Sequence, residues 1–366
     1  LTLLLQGAHN PGVVWFRKNM EFGRDFLTIL LPKVAGFVVT LSLAYLWRSH
    51  WALICGILAS NAMFFVQSFA MHPFRPRFSL ARLRDVWSFS AWTLVHSIFE
   101  YLAEQIDTLI IGRFQSARAV GLYHVAYDVA GSPLVELSQP LARVLMPAYV
   151  KIQDDAAALA RVFAKVFSAV ALLAFAIGAG AALVAEDAVL VILGPQWAES
   201  AALMRVLAPS CGAFALVYPL YAFLIAMGRP KLAAYITIVQ AVLLALVLTP
   251  LAAGHGLVDV ALGRLGVVAV LLAGSLAVFA RVAHLSLATI LASLWRPALA
   301  ALAMSAVVEG VELAAVDWSP LPRLLASVGA GAATFAAAVL AAWALAGRPE
   351  TIERDLLSIA RRTLRR

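Results

Sequence analysis

Charge is scarce in this chain. Asp, Glu, Lys and Arg make up 13% of its 366 residues, against 63% hydrophobic residues and a mean hydropathy of +0.90. A soluble domain is about a quarter charged and about half apolar. One soluble core cannot absorb such an excess, because cores stop growing and split into domains at about 250–300 residues, each needing a polar exterior. Cysteine is scarcer still. Cys55 and Cys211 both fall within apolar stretches, which excludes a disulfide framework and a CxxC metal site. Also absent are HExxH, GxxxxGKS/T, GxSxG and a GxGxxG opening a helix, each the carrier of a particular hydrolytic, phosphate-binding or dinucleotide-binding chemistry. Two adjacent acids, Asp154 and Asp155, raise a sugar-nucleotide metal site, but in a short loop they fit a solvated turn or a helix start better.

Long apolar runs are what the chain does have. Ten stretches approach the roughly 20 residues that cross about 30 Å of hydrocarbon as helix: 26–46, 51–70, 86–111, 121–150, 162–185, 201–227, 232–253, 257–281, 297–311 and 324–346. Stretches such as "AVALLAFAIGAGAALVA" do not alternate, which excludes a transmembrane barrel. The fold class is therefore all-α, a polytopic transmembrane helical bundle. The connections are too short to hold a folded soluble domain.

Orientation follows from the 28 Lys and Arg. One set of alternate loops collects Arg17, Lys18 and Arg24, then Arg75, Arg77, Arg82 and Arg84, then Lys151, Arg161 and Lys165, and further on Arg229, Lys231, Arg281, Arg296 and the arginines of the tail. The other set holds only Arg48, Arg113, Arg118 and Arg323. By the positive-inside rule the first set is cytoplasmic, with both ends of the ten-helix chain. The net charge of +8 is thus a topology signal. Its charges are dispersed over loops without interleaved aromatics, so nucleic acid is not an expected partner. The tail "GRPETIERDLLSIARRTLRR" suits the anionic inner membrane surface, and "MHPFRPRFSLARLRDVW" suits a cytoplasmic link between two bundles.

Against this background, "SIFEYLAEQIDTLIIGR" (97–113) is unusual for carrying Glu100, Glu104 and Asp107 in an otherwise oily segment. At about 100° per residue the three acids share an arc of about 60°. The next span repeats the pattern, with Asp128, Ser132, Glu136, Gln139 and Arg143 inside an arc of about 80°. The short connection between the two predicts antiparallel neighbours. A charge at the bilayer centre costs at least about 2.5–3.5 kcal/mol, so such stripes face protein or a water-filled cavity. Two readings stand: the stripes fasten helices, with Arg143 pairing Glu136 or snorkelling, or they line a transport cavity. Pro133 and Pro140 favour the cavity, since broken backbone ladders are tolerated where helices line one. Glu100 and Glu136 lie at similar depth; facing each other, the two would hold one proton between them. Lys33 and Arg205 are close enough to span ends to snorkel, and Asp259 and Arg264, five apart, do not share a face. Trp47, Trp51, Trp197 and Trp318 read as interfacial anchors.

The segments "NPGVVWFRKNMEFGRDF", "FSAWTLVHSIFEYLAEQIDTLIIGRF", "VGLYHVAYDVAGSPLVELSQPLARVLMPAYVKIQDD" and "VLVILGPQWAESAALMRVLAP" resemble the polysaccharide biosynthesis proteins, the Wzx-type oligosaccharide flippases of the multidrug/oligosaccharidyl-lipid/polysaccharide superfamily. The likeness is most specific in Asp107–Arg113 with Gly121, Tyr123, Pro133, Pro140 and Pro147. It implies two six-helix lobes around a central cavity, commonly followed by two more helices. It also implies alternating access that moves undecaprenyl-pyrophosphate-linked glycans across the cytoplasmic (inner) membrane, with no cofactor; the acidic stripe could carry H⁺ or Na⁺ as a coupling ion, hydrogen-bond sugar hydroxyls, or hold the lobes apart by electrostatics. The implied partners are the lipid-linked oligosaccharide, membrane lipids and other polysaccharide assembly proteins. Measured against fourteen-helix relatives, the chain is expected to lack four helices at its front. That leaves 1–85 as a remnant of the first lobe, 86–296 as the second lobe, 297–346 as two closing helices and 347–366 as a basic cytoplasmic tail. The nominated cavity residues are Glu100, Glu104, Asp107, Asp128, Glu136, Gln139 and Arg143. Competing readings are a cation-coupled drug exporter of the same superfamily and an integral-membrane glycan polymerase or ligase. The latter fits less well, because "EDAVLVILGPQWAES", the longest external loop, has no His or Arg.

Overall fold

Residues 2–76, 83–152, 156–282 and 286–346 are described by the structure, a computed structural model. Asp154, Asp155, most of the basic linker and the tail from 347 lie outside the described residues, as do the side chains of Gln139, Pro140, Arg143 and Pro147. Every regular element among the described residues is helical. The chain divides into two compact units, Leu1–Val86 and Trp87–Arg366.

The first unit holds α1 (Thr2–Ala8), α2 (Val14–Lys18), α3 (Phe22–Trp47) and α4 (Trp51–Met71). α3 and α4 form a hairpin whose close approach depends on small residues. A Cβ on Gly36 would lie 2.9 Å from the Gly56 carbonyl oxygen, and one on Gly56 equally close to that of Gly36. In hydrocarbon no hydrophobic effect draws helices together, so backbone proximity of this kind supplies the packing energy. Asn10 ties the N-terminal segment to the end of α4 and the residues after it. Its amide donates to the carbonyls of Phe74 (2.8 Å) and His72 (3.3 Å), while its backbone N–H donates to Ser68 Oγ (3.0 Å).

The second unit runs α5 (Leu83–Phe114), α6 (Ala117–Lys151), α7 (Ala156–Leu183), α8 (Ala185–Ile192), α9 (Ser200–Ala215), α10 (Tyr218–Ala226), α11 (Pro230–Gly254), α12 (Leu257–Val282), α13 (Leu287–Leu291), α14 (Trp295–Ala314) and α15 (Pro320–Leu345). α9 is its hub, packing on α6, α7 and α12, and the α14–α15 hairpin packs on α7 and α8. Glycine again sets the closest crossing: a Cβ on Gly212 of α9 would lie 2.8 Å from the Ala174 carbonyl of α7. An aromatic cluster fills the core, with Phe223 edge-on to Phe163, Phe279 and Tyr149 at centroid separations of 4.8–5.8 Å.

Eight of the helical stretches are long and apolar enough to cross a membrane. They are α3, α4, most of α7, the α9–α10 stretch, α11, α12, α14 and α15. α5 and α6, at 32 and 35 residues, are long enough to cross but carry the polar stripes. The chain is a multi-pass membrane protein.

One expected span is interrupted. The apolar run 201–227 folds as α9 and α10, broken at Leu216 and Val217. Pro219, in the first turn of α10, has no N–H to give to the carbonyl of Ala215, where α9 ends.

Candidate functional site

The polar stripes of α5 and α6 meet because the two helices are joined by only Gln115 and Ser116. Ser116 caps α6, its hydroxyl oxygen accepting from the Ala119 N–H at 3.2 Å. Gln115 ties the turn to the end of α11 by donating to the carbonyls of Ala252 and His255. Between these helices and the α9–α10 break lies a cavity of about 350 Å³. Glu104, Gln105, Asp107 and Thr108 line it from α5, and Tyr123, His124, Tyr127, Asp128, Ser132 and Glu136 from α6. Cys211, Phe214, Ala215 and Tyr218 complete the wall, so the interrupted backbone of α9–α10 faces the cavity. Irregular backbone at membrane depth is tolerated where it lines such a space.

Asp107 anchors one end. Its Oδ2 accepts from Arg264 of α12 at 2.5 Å and from the Tyr123 hydroxyl at 2.7 Å. Arg264 also donates to the Tyr127 hydroxyl at 3.0 Å and stacks over that ring at 4.7 Å. Both charged side chains are almost fully buried. The pair thus joins α5, α6 and α12 through one ionic centre, leaving Asp107 Oδ1 buried without a hydrogen-bond partner. Removing either charge would strand the other in low dielectric.

The remaining nominees occupy different settings. Glu104, Asp128 and Glu136 are exposed on the cavity wall, with Asp128 beside His124 at 3.2 Å. Glu100, one turn before Glu104, is half-buried and points at His96, Nε2 to Oε2 3.9 Å. The stripe therefore splits into a buried ionic centre at Asp107, a wet acidic wall and a separate contact with His96. Gln139 and Arg143 follow on α6, their side chains outside the described residues.

Sequence reasoning set Arg264 aside because it lacks a partner on its own helix. Depth was the signal that finds it: Asp107 is seven residues before the end of α5, while Tyr123 and Arg264 are six and seven after the starts of α6 and α12. Those ends share one side of the bundle, so the three residues lie at one level. On that same side, Arg323 at the start of α15 donates to both Asp187 oxygens (2.5 and 2.7 Å), and Arg205 pairs with Glu186 at 2.9 Å. Glu186, Asp187 and Arg323, with Glu309, Glu312 and Leu313, line a second cavity of about 390 Å³.

The main cavity offers carboxylates, tyrosine hydroxyls and aromatic faces within one wall, a set suited to hydroxyl-rich ligands. Among the described residues no group of three or more His, Cys, Asp and Glu is placed to hold a metal ion.

Comparison with known proteins accords with a chain of this kind. Residues 1–202 match a family model described as polysaccharide biosynthesis protein. The chain is 32% identical over 185 residues to the lipopolysaccharide biosynthesis protein WzxC of Escherichia coli strain K12, covering 50% of this chain and 38% of that protein. It is 29% identical over 259 residues to the teichuronic acid biosynthesis protein TuaB of Bacillus subtilis strain 168, covering 70% of this chain and 53% of that one. To the succinoglycan biosynthesis transport protein ExoT of Rhizobium meliloti strain 1021 it is 24% identical over 197 residues, covering 53% and 40%. The chain spans about half or less of the length of these relatives. No solved structure matches. With the model matching residues 1–202 of 366, the chain belongs to the polysaccharide biosynthesis protein family.

Proposed function

We propose that the chain acts as a flippase, moving an undecaprenyl-pyrophosphate-linked oligosaccharide across the cytoplasmic membrane by alternating access, with its C-terminus on the cytoplasmic side. The observation that carries the proposal is the cavity at the α9–α10 break, lined by Glu104, Asp128, Glu136, Tyr127 and Tyr218 inside an otherwise oily bundle. At about 350 Å³ it lies within the range of small-ligand sites. Moving a glycan head group needs no covalent change. It needs a hydrated polar surface that the hydroxyls can exchange for water while the lipid tail stays in the bilayer. Carboxylates and tyrosine hydroxyls supply hydrogen bonds to sugar hydroxyls, and aromatic faces cover their apolar sides. Alternating exposure then requires helices to move around the site, and interrupted elements such as α9–α10 are where transporter sites are built.

The name of one relative, a transport protein of succinoglycan biosynthesis, supports transport over polymerisation. Complementation tests the proposal. The gene encoding this chain is expressed in a bacterium lacking its own flippase, with the double substitution Glu104→Gln plus Asp128→Asn in parallel, and surface polysaccharide is scored at matched membrane levels. Restoration by the parent and a fall of at least about tenfold in the double variant is expected. Resistance to cationic drugs without surface polysaccharide would indicate an exporter instead, and a new glycosidic bond formed by purified protein would indicate a polymerase or ligase.

A further inference from the structure

Buried away from the cavity wall, α5 carries a histidine that the transport reading leaves unused. His96 is 5% exposed and lies on the same face as Glu100, one turn earlier. Its ring is fixed on three sides. Nδ1 is 3.3 Å from Thr237 Oγ1 of α11, the ring packs on Tyr221 of α10 with centroids 5.1 Å apart, and Nε2 faces Glu100 Oε2 at 3.9 Å.

The threonine decides the tautomer. Thr237 donates its single hydroxyl proton to the Ala234 carbonyl at 2.9 Å, so toward His96 its oxygen is an acceptor. His96 Nδ1 must then carry a hydrogen, which leaves Nε2 as the basic lone pair in the neutral ring. That lone pair is aimed at a carboxyl group. With no proton between them, Nε2 and the Glu100 carboxylate are two acceptors facing each other in a half-buried site. With one proton they become either an imidazolium–carboxylate pair or a carboxylic acid donating to Nε2.

We propose that His96 and Glu100 form a shared-proton pair, binding one proton between Nε2 and Oε2, and that its occupancy sets how α5 packs against α10 and α11. The inference rests on the transport reading, because Tyr218 at the start of α10 is part of the cavity wall. Protonated, the pair draws Glu100 onto His96 and holds α5 to Thr237 and Tyr221. Deprotonated, the facing lone pairs repel and the contact loosens. The proton comes from water and returns to water; no covalent bond other than its own forms or breaks.

The other charged and titratable groups nearby fit this assignment. Glu104 follows one turn on along α5, on the cavity wall. From α10, Tyr221 packs on the His96 ring and Tyr218 faces the cavity, and Gln240 of α11 accepts from the Tyr221 hydroxyl at 3.5 Å. Lys231 of α11 sits over the Trp92 ring at 5.4 Å, one turn on the other side of His96. Asp107 is engaged by Arg264 of α12 at 2.5 Å. His124 and Asp128 form the same residue pair at 3.2 Å, but both side chains are more than half exposed.

The test uses the whole chain reconstituted in lipid vesicles without glycan, with the proton as the only ligand. Infrared difference spectra and ¹⁵N signals of His96 are followed through a pH titration. In the parent, one transition should change the imidazole and carboxyl signals together. Glu100→Gln should weaken proton binding at His96 at least about tenfold, and Thr237→Val should weaken it while leaving the carboxyl coupled. His96→Asn keeps a donor for Thr237 and removes Nε2; it should fold as the parent and lose the joint transition. Separate titration of the two groups, or a His96 transition unmoved by Glu100→Gln, overturns the pair. Because no substrate is present, a joint transition in a chain that fails to move lipid-linked glycan would defeat the flippase reading and leave the pair standing.

Discussion

Asp107 offers one oxygen to two donors, Arg264 and Tyr123, and keeps the other buried and unpaired. The ion pair is therefore costly to build and costlier to break. Asp107→Asn should destabilise the second unit by about 3–5 kcal/mol, because it leaves the Arg264 guanidinium without a counter-charge. Replacing both members, Asp107→Leu with Arg264→Met, should recover much of that loss; thermal unfolding in detergent, read as a double-mutant cycle, measures the coupling. Tyr123→Phe removes one neutral donor from the same oxygen and should cost about 1 kcal/mol. Much of this residue-level chemistry was legible. The stripes of Glu100, Glu104, Asp107 and of Asp128, Glu136 follow from helical periodicity alone. Arg264 was not legible by that route, since Asp107 and Tyr127 sit on other helices; for His96 the four-residue spacing to Glu100 was legible, and its contacts with Thr237 and Tyr221 were not. Periodicity assigns residues to a face of one helix and says nothing about which helix that face meets.

At the scale of elements, apolar length predicted the ten long stretches, and all ten are helical. What length did not reveal is the interruption of 201–227: Pro219 lies in the first turn of α10 and has no N–H for the Ala215 carbonyl, whereas Pro209 of the same run sits inside α9. Hydropathy reads the sum of a window, whereas the missing N–H acts at one carbonyl. The crossings of α7 with α9 and of α3 with α4 were equally hidden, since a glycine contributes little to hydropathy yet fixes how near two backbones come. Gly212→Ala should therefore push α9 from the Ala174 carbonyl and destabilise the unit by about 1–3 kcal/mol. Gly274→Ala on α12, where an added Cβ meets nothing within 4 Å, should leave stability unchanged or raise it by up to about 1 kcal/mol. Comparing the two variants by thermal unfolding separates crowding from helix propensity.

The described residues combine oily helices for a bilayer with a polar cavity, between α5, α6 and the α9–α10 break, that no single span would justify. The basic loops of the chain, with Arg75 on one side and Arg113 and Arg118 on the other, predict the orientation by the positive-inside rule. Single cysteines introduced at Ser116 and at Arg229 should react with a membrane-impermeant reagent from opposite faces of right-side-out and inverted vesicles, Ser116 from outside. Labelling of both from one face would contradict the topology. The most direct measurement of the account is translocation itself. The purified chain is placed in proteoliposomes carrying an undecaprenyl-pyrophosphate-linked oligosaccharide in the inner leaflet, and arrival of the glycan outside is followed with an impermeant glycosidase. The account predicts cleavage well above that in protein-free vesicles, and a fall of at least about tenfold with Glu104→Gln plus Asp128→Asn at equal incorporation. Cleavage at the protein-free rate, or full activity in the double variant, would contradict it.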